Sequence, residues 1–276
     1  MKRPTVVVLT LSGALALGAC ASGGSSGRTA SSAGASAGAS AAVTVKGPTV
    51  DLASRMATSS AAVRAKKTVH MVMSSGGSDL VEDVRYDGSS SAVRMTMNES
   101  GHALTLVYID KVLYMGGDLI ASMAGGRKWV KIDPNGTDAF SQSMKSTVDA
   151  MASSAANPVE ALATVTGVTA TQVSKTATTT TYHVALSVDQ LKAMVKSQAS
   201  GIPGLSAQTA STATSGLTYD ITLDRDNLPT TMRLTLGGQP ATMTFTKWGE
   251  PVDISAPAAS EIGRAVLPTA SASPTS

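Results

Sequence analysis

Short stretches of this chain alternate apolar and polar residues with a period of two. In the segment 92–98, Val93, Met95 and Met97 share one parity, and the other parity is polar apart from Ala92. A pleated strand with one dry face and one wet face requires this alternation. The segment is therefore predicted to be a half-buried antiparallel strand, with Ala92 on its wet side.

The same alternation recurs along the chain. The further dry positions are Val69, Met71, Met73, Leu104, Leu106, Met232, Leu234, Met243 and Phe245. Turn residues such as paired glycines separate the runs, and this spacing is typical of an antiparallel meander. Strands are predicted near 67–75, 79–87, 91–98, 103–110, 112–116, 127–132, 168–175, 180–187, 216–224, 230–237 and 241–247.

Other segments have the period of a helix. The first predicted helix covers 50–66, with Thr49 as its N-cap. Phe140, Met144 and Val148 recur at steps of four and predict a second helix with one apolar stripe.

Two further helices are predicted from their first residues. One begins at Pro158, because proline fits the first helical position. The other follows Ser187 and Gln190, which have the spacing of a capping box, and it carries Leu191 and Met194 on its apolar side.

Strands, then helices, then strands again indicate an α+β fold. A twisted sheet of about 11 strands curls, so we expect a curled antiparallel sheet with helices across its mouth.

The large dry face is rich in methionine. The chain has 13 Met against 2 Phe and 2 Trp, and the flexible thioether side chain repacks around ligands of varied shape. The dry residues of the strands, together with Phe140, Met144, Val148, Leu191 and Met194, are therefore predicted to line a ligand cavity. In the alternative interpretation, the same residues fill a closed core.

The N-terminus has the features of a secretory signal. Lys2 and Arg3 precede an apolar segment, 5–17, that is too short to span a bilayer. The following Leu-Gly-Ala-Cys resembles a bacterial lipobox, which implies cleavage before Cys20 and attachment of a lipid to its thiol. An ordinary secretory signal with a chance cysteine is the alternative.

Composition divides the rest of the chain. The predicted boundaries are a signal peptide at 1–19, a lipidated flexible tether at 20–48, one domain at 49–262, and a disordered tail at 263–276. The tether and tail are dominated by small and polar residues that cannot form a core.

Charge and motifs exclude several functions. The formal charge of +3 falls to about +1 without Lys2 and Arg3, so we expect no nucleic-acid partner. The three histidines stand singly and there is one cysteine, so no metal or cofactor is expected. A Gly-x-Ser-x-Gly match around Ser25 lies in the tether, where no strand precedes it, and we expect no enzyme.

Three segments carry a resemblance to a known family. They read Val-Tyr-Ile-Asp-Lys-Val-Leu-Tyr at 107–114, Lys-Trp-Val-Lys at 128–131 and Phe-Thr-Lys-Trp-Gly-Glu-Pro-Val at 245–252. With the lipobox and tether, the chain resembles the actinobacterial LppX/LprG-type lipoproteins over about 49–257. The resemblance implies a LolA-like half-barrel with helices covering its concave face. Its cavity would hold phosphoinositides, lipoglycans or other acylated lipids.

The functional expectation follows from that resemblance. It implies a monomeric lipoprotein anchored to the outer face of the cytoplasmic membrane, which carries an acylated lipid or glycolipid toward the cell wall. The alternative is a non-transporting interaction or sensor module of the same fold.

Overall fold

The computed structural model describes residues 47–88, 91–99, 101–154, 158–196, 216–236 and 239–264. Cys20, Ser25, residues 197–215 and the residues from 265 onward lie outside these ranges. The predictions made for them, and the division of the chain into four segments, stay predictions.

The strands form one open sheet in which all neighbours are antiparallel except β13, which runs parallel to β7. Its order is β1-β8-β9-β10-β11-β12-β2-β3-β4-β5-β6-β7-β13. The strands are β1 Thr49–Asp51, β2 Thr68–Ser75, β3 Ser78–Arg85, β4 Ala92–Glu99, β5 His102–Ile109, β6 Val112–Gly117, β7 Trp129–Ile132, β8 Thr169–Lys175, β9 Thr179–Leu186, β10 Leu217–Asp224, β11 Pro229–Leu236, β12 Gln239–Thr246 and β13 Ile262–Gly263.

The predicted α+β class and the antiparallel sheet are confirmed. All eleven predicted strands are present, as β2 to β12. The sheet of 13 strands is wider than predicted because it adds β1 and β13 at its two edges. These have three and two residues, which is too few to display a period of two.

Six α-helices lie within the described residues. They are α1 Leu52–Lys66, α2 Asp118–Met123, α3 Ala139–Ser143, α4 Lys145–Ser154, α5 Pro158–Ala163 and α6 Val188–Lys196. In this part of the chain, no helix combines the length and the apolar character that a membrane crossing needs.

Side-chain hydrogen bonds cap the N-termini of α1 and α6. Thr49 is not the N-cap of α1, because it belongs to β1; the Asp51 carboxylate instead accepts a hydrogen bond from Ser54 N at 2.8 Å. This bond lowers the pKa of Asp51. The capping box of α6 is confirmed: Ser187 N donates to Gln190 Oε1 at 2.9 Å, and Gln190 N donates to Ser187 Oγ at 3.2 Å.

The helix predicted around Phe140 is two helices. Met144 stands between α3 and α4 with a ψ of 1°, outside regular helical geometry. Phe140, Met144 and Val148 are nevertheless all buried, so the apolar stripe continues across the break.

The two faces of the sheet are packed differently. We call the face that carries Met71, Val93 and Leu106 the inner face; its side chains share one large core with the buried side chains of the helices. Helix α2 contacts β5, β6 and β7, α4 contacts β5 and β6, α6 contacts β9, and α1 contacts β1.

The outer face is the opposite face of the sheet, and part of it is buried. Ala92, predicted to be on the wet side, is 0% exposed because it packs in a second cluster with Val107 and Ile254. Trp129 is packed against the same cluster. A side chain on Gly116 would bring its Cβ to 2.7 Å from the Trp129 ring, so this packing requires glycine.

Candidate functional site

The register of β2 to β6 arranges the inner-face side chains in three rows that run across the strands. The row nearest the β2–β3 and β4–β5 turns, here the rim row, consists of Met73, Leu80, Met97 and Leu104. The middle row consists of Met71, Glu82, Met95, Leu106 and Met115. The deep row consists of Val69, Val84, Val93, Tyr108 and Leu113.

Burial changes from row to row. Every member of the deep row is buried, and in the middle row only Met95 is half-buried. All four side chains of the rim row are half-buried. The large apolar face therefore reaches solvent along one line, at the end of the sheet where the chain turns at Gly76–Gly77 and Gly101.

The rim and middle rows continue onto β11 and β12 with full burial. Met243 pairs with Met73 and also with Met232, and all but Met73 are buried. Phe245 pairs with Met71. Its ring stacks on Trp248, with centroids 6.1 Å apart and planes 10° apart. Trp248 Nε1 donates to the carbonyl oxygen of Pro229 at 2.9 Å, which holds the indole ring at this edge of the core.

The structure brings the predicted cavity residues onto one face. The strand residues all lie on the inner face, and Phe140, Met144, Val148 and Leu191 join them in the same core. The half-buried members are Met73, Met95, Met97 and Leu104, and the other described members are buried. The side chain of Met194 is outside the described residues. That these residues line a ligand cavity stays a prediction.

Glu82 is the polar member of the middle row. It is 6% exposed, and its cross-strand neighbours are Met71 and Met95. Its Oε1 atom is buried and has no hydrogen-bond partner among the described residues. Burial, with a smaller contribution from the charge of Asp83, raises the pKa of Glu82 to about 7.

Sequence patterning missed Glu82 and its neighbour Leu80. β3 reads Ser-Asp-Leu-Val-Glu-Asp-Val-Arg, in which two adjacent carboxylates and two adjacent apolar residues obscure the alternation. The pairing of Glu82 with Met71 places it on the inner face, whereas Asp83 pairs with His70 on the outer face. A strict period of two counted back from Val84 would have found both missed residues.

Two surface pockets lie at the opposite end of β9 and β10 from α6. Their volumes are about 210 Å³ and 220 Å³, and no predicted cavity residue lines either one. Their lining is polar and consists of Arg55, Lys175, Thr176, Ala177, Thr178, Thr179, Thr180, Asp224, Arg225, Asp226 and Asn227. They are therefore separate from the methionine-rich face.

Two histidines on the outer face are paired with carboxylates. The distance from His70 Nδ1 to Asp83 Oδ1 is 2.7 Å, and the distance from His183 Nδ1 to Asp220 Oδ1 is also 2.7 Å. Both were expected to stand alone in solvent, but each is part-buried with its partner. Over the described ranges, no group of three or more His, Cys, Asp or Glu side chains is placed to hold a metal ion.

Comparison with known proteins gives structural matches. No protein-family model matches the chain, and no curated protein matches its sequence. The fold is similar to the crystal structure of lipoprotein LppX from Mycobacterium tuberculosis, with 15% identity, a TM-score of 0.44, and 74% of this chain and 98% of LppX covered.

The second structural match is to LprF from Mycobacterium bovis. The identity is 12%, the TM-score is 0.44, and the alignment covers 75% of this chain and 97% of LprF. Both matches are mycobacterial lipoproteins of the LppX/LprG family, which is the family that the sequence resembles. At these identities the likeness concerns the fold.

Proposed function

We propose that this protein is a cell-envelope lipoprotein that binds the acyl chains of a lipid or glycolipid against its inner face and carries that lipid from the cytoplasmic membrane toward the cell wall. The observation that carries the proposal is the rim row. Its four large apolar side chains are half-exposed in a line, and they are continuous with the buried rows behind them.

The chemistry of the rim row suits an acyl chain. Methionine and leucine side chains offer flexible apolar contact and no charge, so they accept a hydrocarbon of varied length or branching. Each buried methylene of a ligand contributes about 0.8 kcal/mol. Ten buried methylenes would therefore contribute about 8 kcal/mol, which offsets the costs of association and of ordering the ligand.

The proposal includes an anchor at Cys20. A diacylglyceryl group on its thiol would hold the protein at the outer face of the cytoplasmic membrane, because two acyl chains give stable attachment where one is marginal. The stretch between Cys20 and β1 is rich in glycine, serine and alanine, a composition suited to a flexible linker. Such a linker would let the domain reach lipids in the membrane and acceptors beyond it.

Replacing Cys20 by alanine tests the anchor. We expect Cys20→Ala to be absent from the membrane fraction, because the variant lacks the thiol to which the lipid is attached. Intact mass spectrometry of the wild-type protein should also show a lipid adduct on a chain that begins at Cys20. Recovery of Cys20→Ala in the membrane fraction at the wild-type level would contradict the anchor.

Native mass spectrometry tests the binding of lipid. Full-length protein is extracted from membranes with mild detergent, and we expect a population heavier than the bare lipoprotein by the mass of one acylated lipid. Denaturing the same sample should release that mass into the organic extract. Protein that carries no lipid and that does not take up uncharged acyl probes would contradict the proposal.

A second function is favoured by the deep row. Its members are at most 8% exposed, as in a well-filled core, and a filled core with an apolar rim suits docking of a protein. In this alternative the protein is a non-transporting interaction or sensor module, and the rim row is its contact surface. A stable complex with one protein, formed by a sample that lacks bound lipid, would support it over lipid carriage.

A further inference from the structure

Within the apolar middle row, the carboxyl group of Glu82 is chemically out of place. An unpaired polar atom in an apolar environment costs free energy, which the protein would avoid by placing leucine or methionine there. Oε1 of Glu82 is such an atom among the described residues, and the two side chains that flank it across the strands are thioethers. Among the described residues, Oε1 of Glu82 is thus a hydrogen-bonding atom without a protein partner.

Its position relative to the rim row is defined by the strand. Leu80 is two residues before Glu82 on β3 and on the same face, so the two lie about 7 Å apart along the strand. A ligand that passes the rim row therefore meets the carboxyl group of Glu82 about 7 Å further along the strand. The other side chains of the middle row are apolar.

We propose that the Glu82 carboxyl group hydrogen-bonds the ester region of a bound glycerolipid, either an ester carbonyl or a free glycerol hydroxyl. The ester region stands between the headgroup and the acyl tails, which matches a polar group just inside an apolar rim. This inference rests on the proposed function, because it requires a lipid at the inner face.

The ionisation of Glu82 agrees with an uncharged partner. Burial raises its pKa to about 7, so near neutral pH a large fraction of the group is the neutral acid. A neutral carboxyl group can donate a hydrogen bond to a carbonyl oxygen and accept one from a hydroxyl group. It therefore matches both polar groups of a diacylglycerol.

Two probes and two variants test the inference on the full-length, delipidated protein. The probes are pyrene-labelled diacylglycerol and a pyrene-labelled alkane of the same chain length, and the variants are Glu82→Leu and Glu82→Gln. We expect Glu82→Leu to weaken diacylglycerol binding on the order of tenfold, the size of one lost hydrogen bond, and to leave alkane binding unchanged or tighter. Glu82→Gln should retain diacylglycerol binding within about threefold, because the amide also donates and accepts.

The outcomes separate this inference from the proposed function. If wild-type protein binds both probes and Glu82→Leu binds both equally well, Glu82 makes no contact with the ester region and the inference is overturned while lipid binding stands. If wild-type protein binds neither probe, both proposals fail. Equal weakening of both probes by Glu82→Leu would indicate damage to the apolar site, and it would also overturn the hydrogen bond.

Discussion

Lipid uptake is expected to fall by at least about 100-fold when Met97 is replaced by arginine. Met97 lies in the rim row between Leu80 and Leu104. The long arginine stem can follow the apolar surface while its guanidinium group reaches water, so the variant should fold. An acyl chain that lies across the rim row would remove water from that charge. This desolvation costs several kcal/mol, which corresponds to a loss of more than 100-fold in affinity.

The neighbouring position supplies the matched control. Asn98 is the next residue of β4, and its side chain is exposed on the outer face. Asn98→Arg therefore adds the same charge to the same strand without placing it in the rim row. Titration with an uncharged pyrene-labelled diacylglycerol should show near wild-type affinity for Asn98→Arg. Equal affinities for the two variants, both shown by circular dichroism to be folded, would mean that the ligand does not cross the rim row.

The sequence was sufficient to predict the strands because the strand period is short and repeated. Val93, Met95 and Met97 make the dry side of β4 evident without any tertiary information. The capping box of Ser187 and Gln190 was equally local, since both hydrogen bonds lie within one turn. Features of this kind depend only on residues within about four positions of one another.

The outer-face cluster could not be predicted, because it depends on residues that are distant in sequence. Ala92 is buried by packing with Ile254, and no local period links positions so far apart. The β1 and β13 edges are also tertiary features: Val50 pairs with Ala170, and Ile262 pairs with Trp129. Such pairings are determined by the tertiary arrangement of the whole sheet.

The candidate site was predicted in its apolar part and missed in its polar part. Met73, Met95, Met97 and Leu104 were assigned to the dry face and form most of its half-exposed surface. Glu82 was missed because a charged residue in a strand is usually exposed. Its burial follows from the register of β2, β3 and β4, which fixes its face regardless of its charge. Side chains that violate the general pattern in this way are frequently functional.

The pH dependence of stability should reveal the state of Glu82 directly. Its pKa is raised from an ordinary value of 4.5 to about 7 in the folded protein, so between these values the folded state binds more protons than the unfolded state. The free energy of unfolding therefore decreases as pH rises through this window. The difference between a pKa of 4.5 and one of about 7 corresponds to a loss of about 3 kcal/mol, which is complete above about pH 7.5.

The pH dependence of stability between pH 4.5 and 7 is assigned to Glu82 and not to the groups around it. Its cross-strand neighbours Met71 and Met95 do not titrate, and Tyr86, whose pKa is also raised by burial, stays neutral. Asp83 lies on the outer face, where it pairs with His70, and this pair is present in both wild type and variant. The difference in unfolding free energy between wild type and Glu82→Gln therefore isolates the Glu82 contribution.

Urea unfolding of wild type and Glu82→Gln between pH 4.5 and 8 makes the measurement. We expect the variant to gain about 3 kcal/mol relative to wild type across this range, because glutamine occupies the same space and cannot ionise. Glu250→Gln, which changes an exposed glutamate, is the matched control, and its difference from wild type should stay flat within about 0.5 kcal/mol. If Glu82→Gln gave the same flat difference, the Glu82 carboxyl group would be hydrated in the folded protein, and the middle row would be open to water.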